Sequence, residues 1–388
     1  MNLIASENTP SPLVEELFDE GLSQRYGSYK GIDLNQRTYK GNRYIAEIEI
    51  YAHELAKELF DVKYVDFRPL SGNIAGIAAT FALGEPGVTA LEVENGHGYA
   101  QKLAESPLKV DTKSIPIPWD DDRSNIDLPA TVELIGKHKP KIVNIGSGVF
   151  LFPQPVSELK SAMRQANSGS YLIYDAAHVI GLIAGGRFQS PLAEGADVVI
   201  SSTHKTLAGP QGGMILTNDK SIAERIGASL YPLLMSNHHL SRLPALAGTF
   251  VEWMVCGAAH ADAIVANAKA LGSALEERGV PMLAAEFGFT ESHTLIPIVD
   301  AYGDGSEMAN RLEACDIIAG GMNVSAEAGT NALRLGVQEV TRWGMTTEDA
   351  PAIADCILQA LSGESPKKVK TKVKQVAQRF NRIQFTLN

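Results

Sequence analysis

Residues 196–213 read ADVVISSTHKTLAGPQGG. Val198, Val199 and Ile200 form a β-branched run without alternation, as in a strand buried on both faces. His204 and Lys205 follow it directly, and a glycine-rich turn ends at Gly212-Gly213. Lysine is usually a solvated surface residue, yet here it stands where a buried strand ends. A desolvated amine held for covalent chemistry accounts for that position. The rest of the chain must then supply its partners.

Working outward, short apolar runs recur at VTALEV (88–93), PKIVNIG (140–146), SYLIYDA (170–176) and GGMILTN (212–218). Segments of helical period lie before and between them, including AEIEIYAHELAKELF (46–60) and GNIAGIAATFAL (72–83). The alternation predicts an α/β fold with a mostly parallel central sheet covered on both faces. After about residue 245 the pattern changes. The Ala-rich stretch 249–279 reads as a long helix or helix pair, followed by strands at HTLIPIVDA (293–301) and ALRLGV (332–337) and two more helices. We expect an N-terminal arm and large domain over 1–257 and a smaller α+β domain over 258–388. Residues 12–24 have helical spacing after Thr9-Pro10-Ser11, and 26–44, rich in Tyr, Gly and basic residues, read as a long functional loop. In the basic tail 366–385, Val369, Val373, Val376, Phe380 and Ile383 recur at steps of four and three. That predicts an amphipathic helix docked on the small domain with its lysines in water.

Composition bounds the partners. The 388 residues carry a net charge of −11, which repels phosphate backbones, so no nucleic-acid partner is expected. No run of about 18 apolar residues suggests a membrane span. Cys256, Cys315 and Cys356 lie far apart without CxxC spacing, unlike a disulfide framework or zinc site. MNLIASENTP lacks a signal-peptide pattern, and a cytoplasmic protein is expected.

In open parallel sheets, ligands bind beyond the carboxyl ends of the strands. Three expected strand ends carry suggestive groups: Ser147, Asp175-Ala-Ala-His178 and His204-Lys205. Ser71-Gly72-Asn73 opens an expected helix, where free N–H groups and the dipole suit a phosphate. One ligand uses all four, pyridoxal phosphate. Its aldehyde takes a lysine amine, its pyridine nitrogen takes a carboxylate, and its phosphate takes a helix start with hydroxyl or imidazole donors. Each residue alone has an ordinary reading as a cap, turn or surface group; the combination, in chain order with strands between, does not. No metal is expected, because His178, His204, His238 and His239 lack ligand spacing and leave Lys205 unexplained. Neither GxxxxGK[ST] nor a strand-linked GxGxxG is present.

LIASEN (3–8), DAAHVIGL (175–182), THKTLAGPQGG (203–213) and ALRLGVQEVTRWG (332–344) resemble the signatures of serine hydroxymethyltransferase, a fold-type I pyridoxal phosphate transferase. The resemblance extends along nearly the whole chain. It implies Lys205 as the Schiff-base lysine with His204 beside it near the phosphate, and Asp175 paired with the pyridine nitrogen. It implies His97 stacked on the ring, His178 near the ring oxygen helping to position substrate, and Ser147 at the ring hydroxyl. Ser71, Gly72 and Asn73 would receive the phosphate, and Ser202 is placed like the hydroxyl residue near the lysine. Arg334, helped by Ser6, would grip the substrate carboxylate. Tyr26 and Tyr39 match two active-site tyrosines that, in this family's homodimer (a tetramer also being open), come from the neighbouring subunit.

The chain also departs from the family pattern. Ser28 stands where the family has the glutamate that handles protons in folate chemistry, and Asp33 is the nearest acid. Thr38 replaces the first of two paired tyrosines, and no Gly-Gly is evident near Ser236-Asn237. The resemblance therefore implies an enzyme of one-carbon or amino-acid metabolism acting on the Cα–Cβ bond of serine, glycine or related β-hydroxy amino acids, with tetrahydrofolate in question. For the β-hydroxyl proton, His97, a tyrosine, Asp33 or a water stand as candidate bases. A threonine-type aldolase without folate, a specialised aminotransferase, racemase or transaldolase, and a non-catalytic protein of the same fold are the alternatives. Intact Lys205, Asp175 and Arg334 speak against the last.

Overall fold

The computed structural model describes residues 1–387 apart from 94–97, 106–109, 168 and 325–328. In chain order the elements that matter for the site are β1 (Tyr64–Asp66), β2 (Val88–Val93), β3 (Thr112–Ile117), β4 (Ile142–Ile145), β5 (Tyr171–Asp175), β6 (Val198–Ser202) and β7 (Gly213–Thr217). They form one seven-stranded sheet in the order β1-β7-β6-β5-β4-β2-β3. β7 runs antiparallel to both its neighbours, and every other pairing is parallel. Strands β4 and β6 are buried at every position, which is why their sequences show no alternation. The expected α/β fold with a mostly parallel central sheet is present.

Helices cover this sheet: α1 (Arg43–Phe60), α2 (Gly72–Leu83), α3 (Tyr99–Glu105) and α4 (Leu243–Glu276). The Ser71 hydroxyl caps α2 by accepting from the Ile74 amide, and Ala packs its inner face. Helix α4 is a single element, with Pro244 in its first turn and no other proline along it. It runs through residues 257 and 258 without a break, so the expected domain boundary falls inside a helix. Beyond it, β8 (Thr294–Leu295), β9 (Gly320–Asn323) and β10 (Asn331–Gly336) form a small antiparallel sheet in the order β8-β10-β9. Helix α5 (Pro366–Ala377) closes the chain with Val369, Val373 and Val376 buried and its lysines exposed. Phe380 is buried behind it, while Ile383 is half-buried.

Two expectations need correction. Residues 12–24 do not form one helix: Pro12–Glu16 is α-helical and Glu20–Gln24 is a separate 3₁₀ turn. The Asp19 carboxylate accepts from the Gly21 amide and starts the second turn afresh. The strand expected over 293–301 is regular only at Thr294–Leu295, with isolated bridges at Pro297 and Ile298. Pro297 has no N–H to give a ladder.

The loop 26–44 is irregular, and buried charge pins it. Arg37 bonds Glu49 of α1 at 2.7 Å and the Gly27 carbonyl at 2.6 Å. Glu49 also meets His238 Nε2 at 2.9 Å. Arg68 donates to the carbonyls of Tyr29 and Gly31, and the buried Tyr29 ring lies 4.9 Å from the Arg37 guanidinium and 4.3 Å from that of Arg68. Burial works against the Glu49 charge, but His238 and Arg37 outweigh it and hold the carboxyl at about 2. Glu49→Ala would take the carboxylate from the buried Arg37 guanidinium and from His238 Nε2, and we expect a loss of about 3–5 kcal/mol in urea denaturation.

His53, packed edge-on against Phe67, is pushed down by burial to about 4. It stays neutral in the fold while the unfolded chain takes up a proton below the ordinary histidine value. Its contribution is therefore complete above about pH 6.5 and declines, at about 1.4 kcal/mol per unit, as pH falls towards 4. Replacing His53 by Leu should flatten that part of a stability–pH curve.

Candidate active site

Parallel pairing sets the carboxyl ends of β4, β5 and β6 side by side. Ser147 lies just beyond β4, Asp175 ends β5, and Ser202 ends β6 immediately before His204 and Lys205. The Lys205 turn closes through Ala208 N to Lys205 O at 3.0 Å and Gly209 N to Thr203 O at 2.9 Å. Thr206 locks it sideways, donating to the His178 carbonyl at 2.9 Å and accepting from the Gly181 amide at 3.0 Å. A Cβ on Gly181 would come within 2.4 Å of the Thr206 carbonyl, so the DAAHVIG and THKT segments require a glycine between them.

This turn brings Lys205 Nζ to 3.3 Å from His178 Nε2. Burial lowers the amine below the ordinary lysine value; Asp175 opposes that shift and the Arg334 guanidinium adds to it. Burial, and then the charges of Lys205 and Arg242, push His204 down to about 4, and its Nδ1 is buried without a hydrogen-bond partner among the described residues. Asp175 Oδ1 accepts from the Ala177 amide at 2.9 Å, and Oδ2 accepts from the Tyr99 hydroxyl at 2.7 Å. Ser202 Oγ donates to the Ala177 carbonyl at 3.3 Å, and Ser147 Oγ accepts from the Val149 amide at 3.0 Å.

The start of α2 sits against the same strand ends. A Cβ on Gly72 would lie 3.0 Å from the Ser202 amide, and one on Gly213 only 2.3 Å from the Ser71 carbonyl. Asn73 Oδ1 accepts from Lys102 Nζ at 3.0 Å. Arg334, on β10, reaches across to the turn after β4, donating to the Gly148 carbonyl at 3.0 Å. Ser6 belongs to a segment that ties these parts together. Asn8 donates to the Lys205 carbonyl at 2.9 Å, the Gly336 amide donates to Leu3 at 2.8 Å, and Ala5 O lies 3.0 Å from His293 Nε2.

The structure thus gathers Lys205, His204, His178, Asp175, Ser202, Ser147, Ser71, Gly72 and Arg334 around one strand-end cleft. His97 lies outside the described residues. Tyr26 and Tyr39 are elsewhere: their rings meet edge to face at 5.1 Å, each about half exposed. Among the described residues, no hydrogen bond joins either of them to Lys205.

Several contributors carried no signal in the sequence. His293 stacks on His178 with centroids 5.8 Å apart, and burial holds it neutral at about 3. Arg242 is buried beneath the glycine-rich turn, donating to Thr203 Oγ1 and to the carbonyls of Phe67, Pro69 and Gly213. Tyr99 bonds Asp175 from the start of α3. Only tertiary packing brings these three in.

The donor set fits pyridoxal phosphate. A half-buried amine biased towards its neutral form suits an aldehyde, the preceding His204 keeps a buried Nδ1 without a partner among the described residues, and Gly72 lets a helix start lie close against Ser202.

Comparisons with known proteins agree. The family model for serine hydroxymethyltransferase matches residues 1–357. The serine hydroxymethyltransferase of Korarchaeum cryptofilum is 38% identical over 413 residues, spanning 99% of this chain and 92% of that protein. That of Picrophilus torridus is 39% identical over 394 residues, spanning 99% and 89%. The crystal structure of L-threonine transaldolase from Pseudomonas fluorescens superposes with a TM-score of 0.92 at 29% identity, covering all of this chain and 89% of that one.

A Cβ on Gly148 would lie 3.1 Å from the Arg334 guanidinium. Gly148→Val should therefore displace Arg334 and raise KM for an amino-acid substrate by about tenfold while changing kcat less, as steady-state kinetics would show.

Proposed function

The chain belongs to the serine hydroxymethyltransferase family, and from that premise we propose that it makes and breaks the Cα–Cβ bond of small β-hydroxy amino acids without tetrahydrofolate. It is a pyridoxal phosphate enzyme of the glycine hydroxymethyltransferase and aldolase type. The observation behind the folate-independent reading is Ser28. It is buried, and its hydroxyl donates to the Ser236 carbonyl at 2.6 Å, so the position that would offer an acid is turned into the fold. Asp33, the nearest acid in sequence, is exposed and accepts from the Asn35 amide of its own turn.

When bound, the cofactor supplies an aldehyde for an amine and a ring that withdraws electrons from Cα. The chain's residues would do the rest. Lys205 offers an amine that burial biases towards the neutral, nucleophilic form. Asp175 would hold the proton at the ring nitrogen, and the α2 start at Ser71, Gly72 and Asn73, with His204, would hold the phosphate. Arg334, assisted by Ser6, would clamp the substrate carboxylate and so decide which Cα bond stands across the ring plane. His178 Nε2, beside Lys205 Nζ, can hold a proton released there. Ser147 and Ser202 would line the cleft, and His97 would cover the ring.

We assign Tyr26 and Tyr39 to the site of a second copy of the chain, in a homodimer. Their exposure as a joined pair supports this, as does the pinned loop that presents them. We further read residues 1–257 as arm and large domain, residues 258–388 as small domain, and the protein as cytoplasmic.

A second reading, transaldolase, is favoured by the full-length match to the L-threonine transaldolase structure. There the glycine part of threonine would leave acetaldehyde behind and join a second aldehyde, with no folate required.

The test is incubation of the cofactor-loaded enzyme with L-threonine, and with L-serine with and without tetrahydrofolate. We expect acetaldehyde from threonine, no more than a twofold effect of folate on serine cleavage, and loss of both activities in Lys205→Ala. A large folate-dependent acceleration would defeat the folate-independent reading. Acetaldehyde released from threonine only when a second aldehyde is added would select the transaldolase.

A further inference from the structure

Asp175 is itself held from behind. The Tyr99 hydroxyl donates to Asp175 Oδ2 at 2.7 Å, and both side chains are buried. Tyr99 opens α3, and the start of that helix is fixed by Glu92, a carboxylate on β2 that is only 3% exposed. Glu92 Oε1 accepts from the Ala100 amide at 2.9 Å, and Oε2 from the Gln101 amide at 3.1 Å. Asn144 Nδ2 at 2.6 Å and Ser114 Oγ at 2.8 Å fill its remaining positions. Four donors therefore seat this carboxylate, and two of them are the backbone that carries Tyr99. From above, Gly76 leaves room for the phenol ring: a Cβ there would lie 2.1 Å from ring carbon.

We infer that Tyr99 is a positioning residue for the cofactor's ring nitrogen: supported by Glu92, its hydroxyl holds the Asp175 carboxylate in a fixed orientation, so that the ring proton stays on nitrogen. This inference rests on the pyridoxal phosphate reading of the cleft. The physical reason is the strength of a hydrogen bond to a charged acceptor, which makes the carboxylate a poorer base. Burial, reinforced by Asp175, drives the Tyr99 phenol well above its ordinary range, so it acts as a donor at every working pH. Without it, the carboxylate loses one of its donors, and the shared proton moves towards oxygen. A ring that loses its proton is a weaker electron sink. Glu92 and Tyr99 thereby act on the electron-withdrawing power of the site through Asp175.

The experiment loads wild type, Tyr99→Phe and Glu92→Gln with pyridoxal phosphate carrying ¹⁵N in the ring and records the bound nitrogen signal by NMR. Circular dichroism and thermal melts check folding in parallel. Wild type should show a protonated nitrogen. Tyr99→Phe should move the signal towards the neutral position and weaken cofactor affinity roughly tenfold. Glu92→Gln, which disturbs only the support, should move it less. A folded Tyr99→Phe protein whose nitrogen signal and affinity both match wild type would overturn the inference. Wild type showing no bound-ring signal at all would instead overturn the cofactor reading beneath it.

Discussion

Everything about the cleft follows from keeping one amine out of water. A lysine side chain at the mouth of a sheet gains most by extending into solvent, where its charge is hydrated. Here the turn after β6 is tied down on three sides, by Thr206 to the His178 carbonyl, by Asn8 to the Lys205 carbonyl and by the closure of residues 203–209. The amine is left against an imidazole, with a carboxylate and a guanidinium at longer range acting in opposite senses. That balance leaves Lys205 able to react, while burial first, and nearby positive charge after it, keeps His204 and His293 neutral.

The parts of the fold legible in the sequence are those whose signal is local. The runs at 198–202, 171–175 and 142–145 lack alternation because their strands are buried on both faces. Lys205 and Asp175 could be read because each directly follows or ends such a run, and Ser71 because a cap precedes its helix. What stayed hidden depends on strand order, which no run of residues encodes. The antiparallel β7, the approach of His293 to His178 and the placement of Arg242 under the glycine turn arise only when distant elements pack. The broken helix at 12–24 was misread for a different reason. Its apolar spacing is right, but the Asp19 side chain competes for the backbone and ends the regular structure.

The same contrast separates the conserved-looking chemistry of the lysine from the altered chemistry of the loop. Ser28 is small enough to turn inward, and its hydroxyl finds a backbone carbonyl. The neighbouring tyrosines stay outside, because Arg37, Arg68 and Glu49 fix the path of the chain between them. One loop therefore does two opposite things within a few residues: it turns the Ser28 hydroxyl inward and presents a pair of rings.

The first residues of the chain also set a timetable. Gln338 donates to the carbonyls of Ile4 and Glu7, across separations of 334 and 331 residues, and Gly336 closes on Leu3. The segment that carries Ser6 and Asn8 therefore lacks these contacts until residues 336–338 have left the ribosome. A nascent chain can build its central sheet well before then, but it cannot close the wall beside Lys205. Prematurely terminated chains would hold the reactive lysine in an unfinished cleft. In a protein laid out this way, the wall beside Lys205 closes only after residues 336–338 have been made.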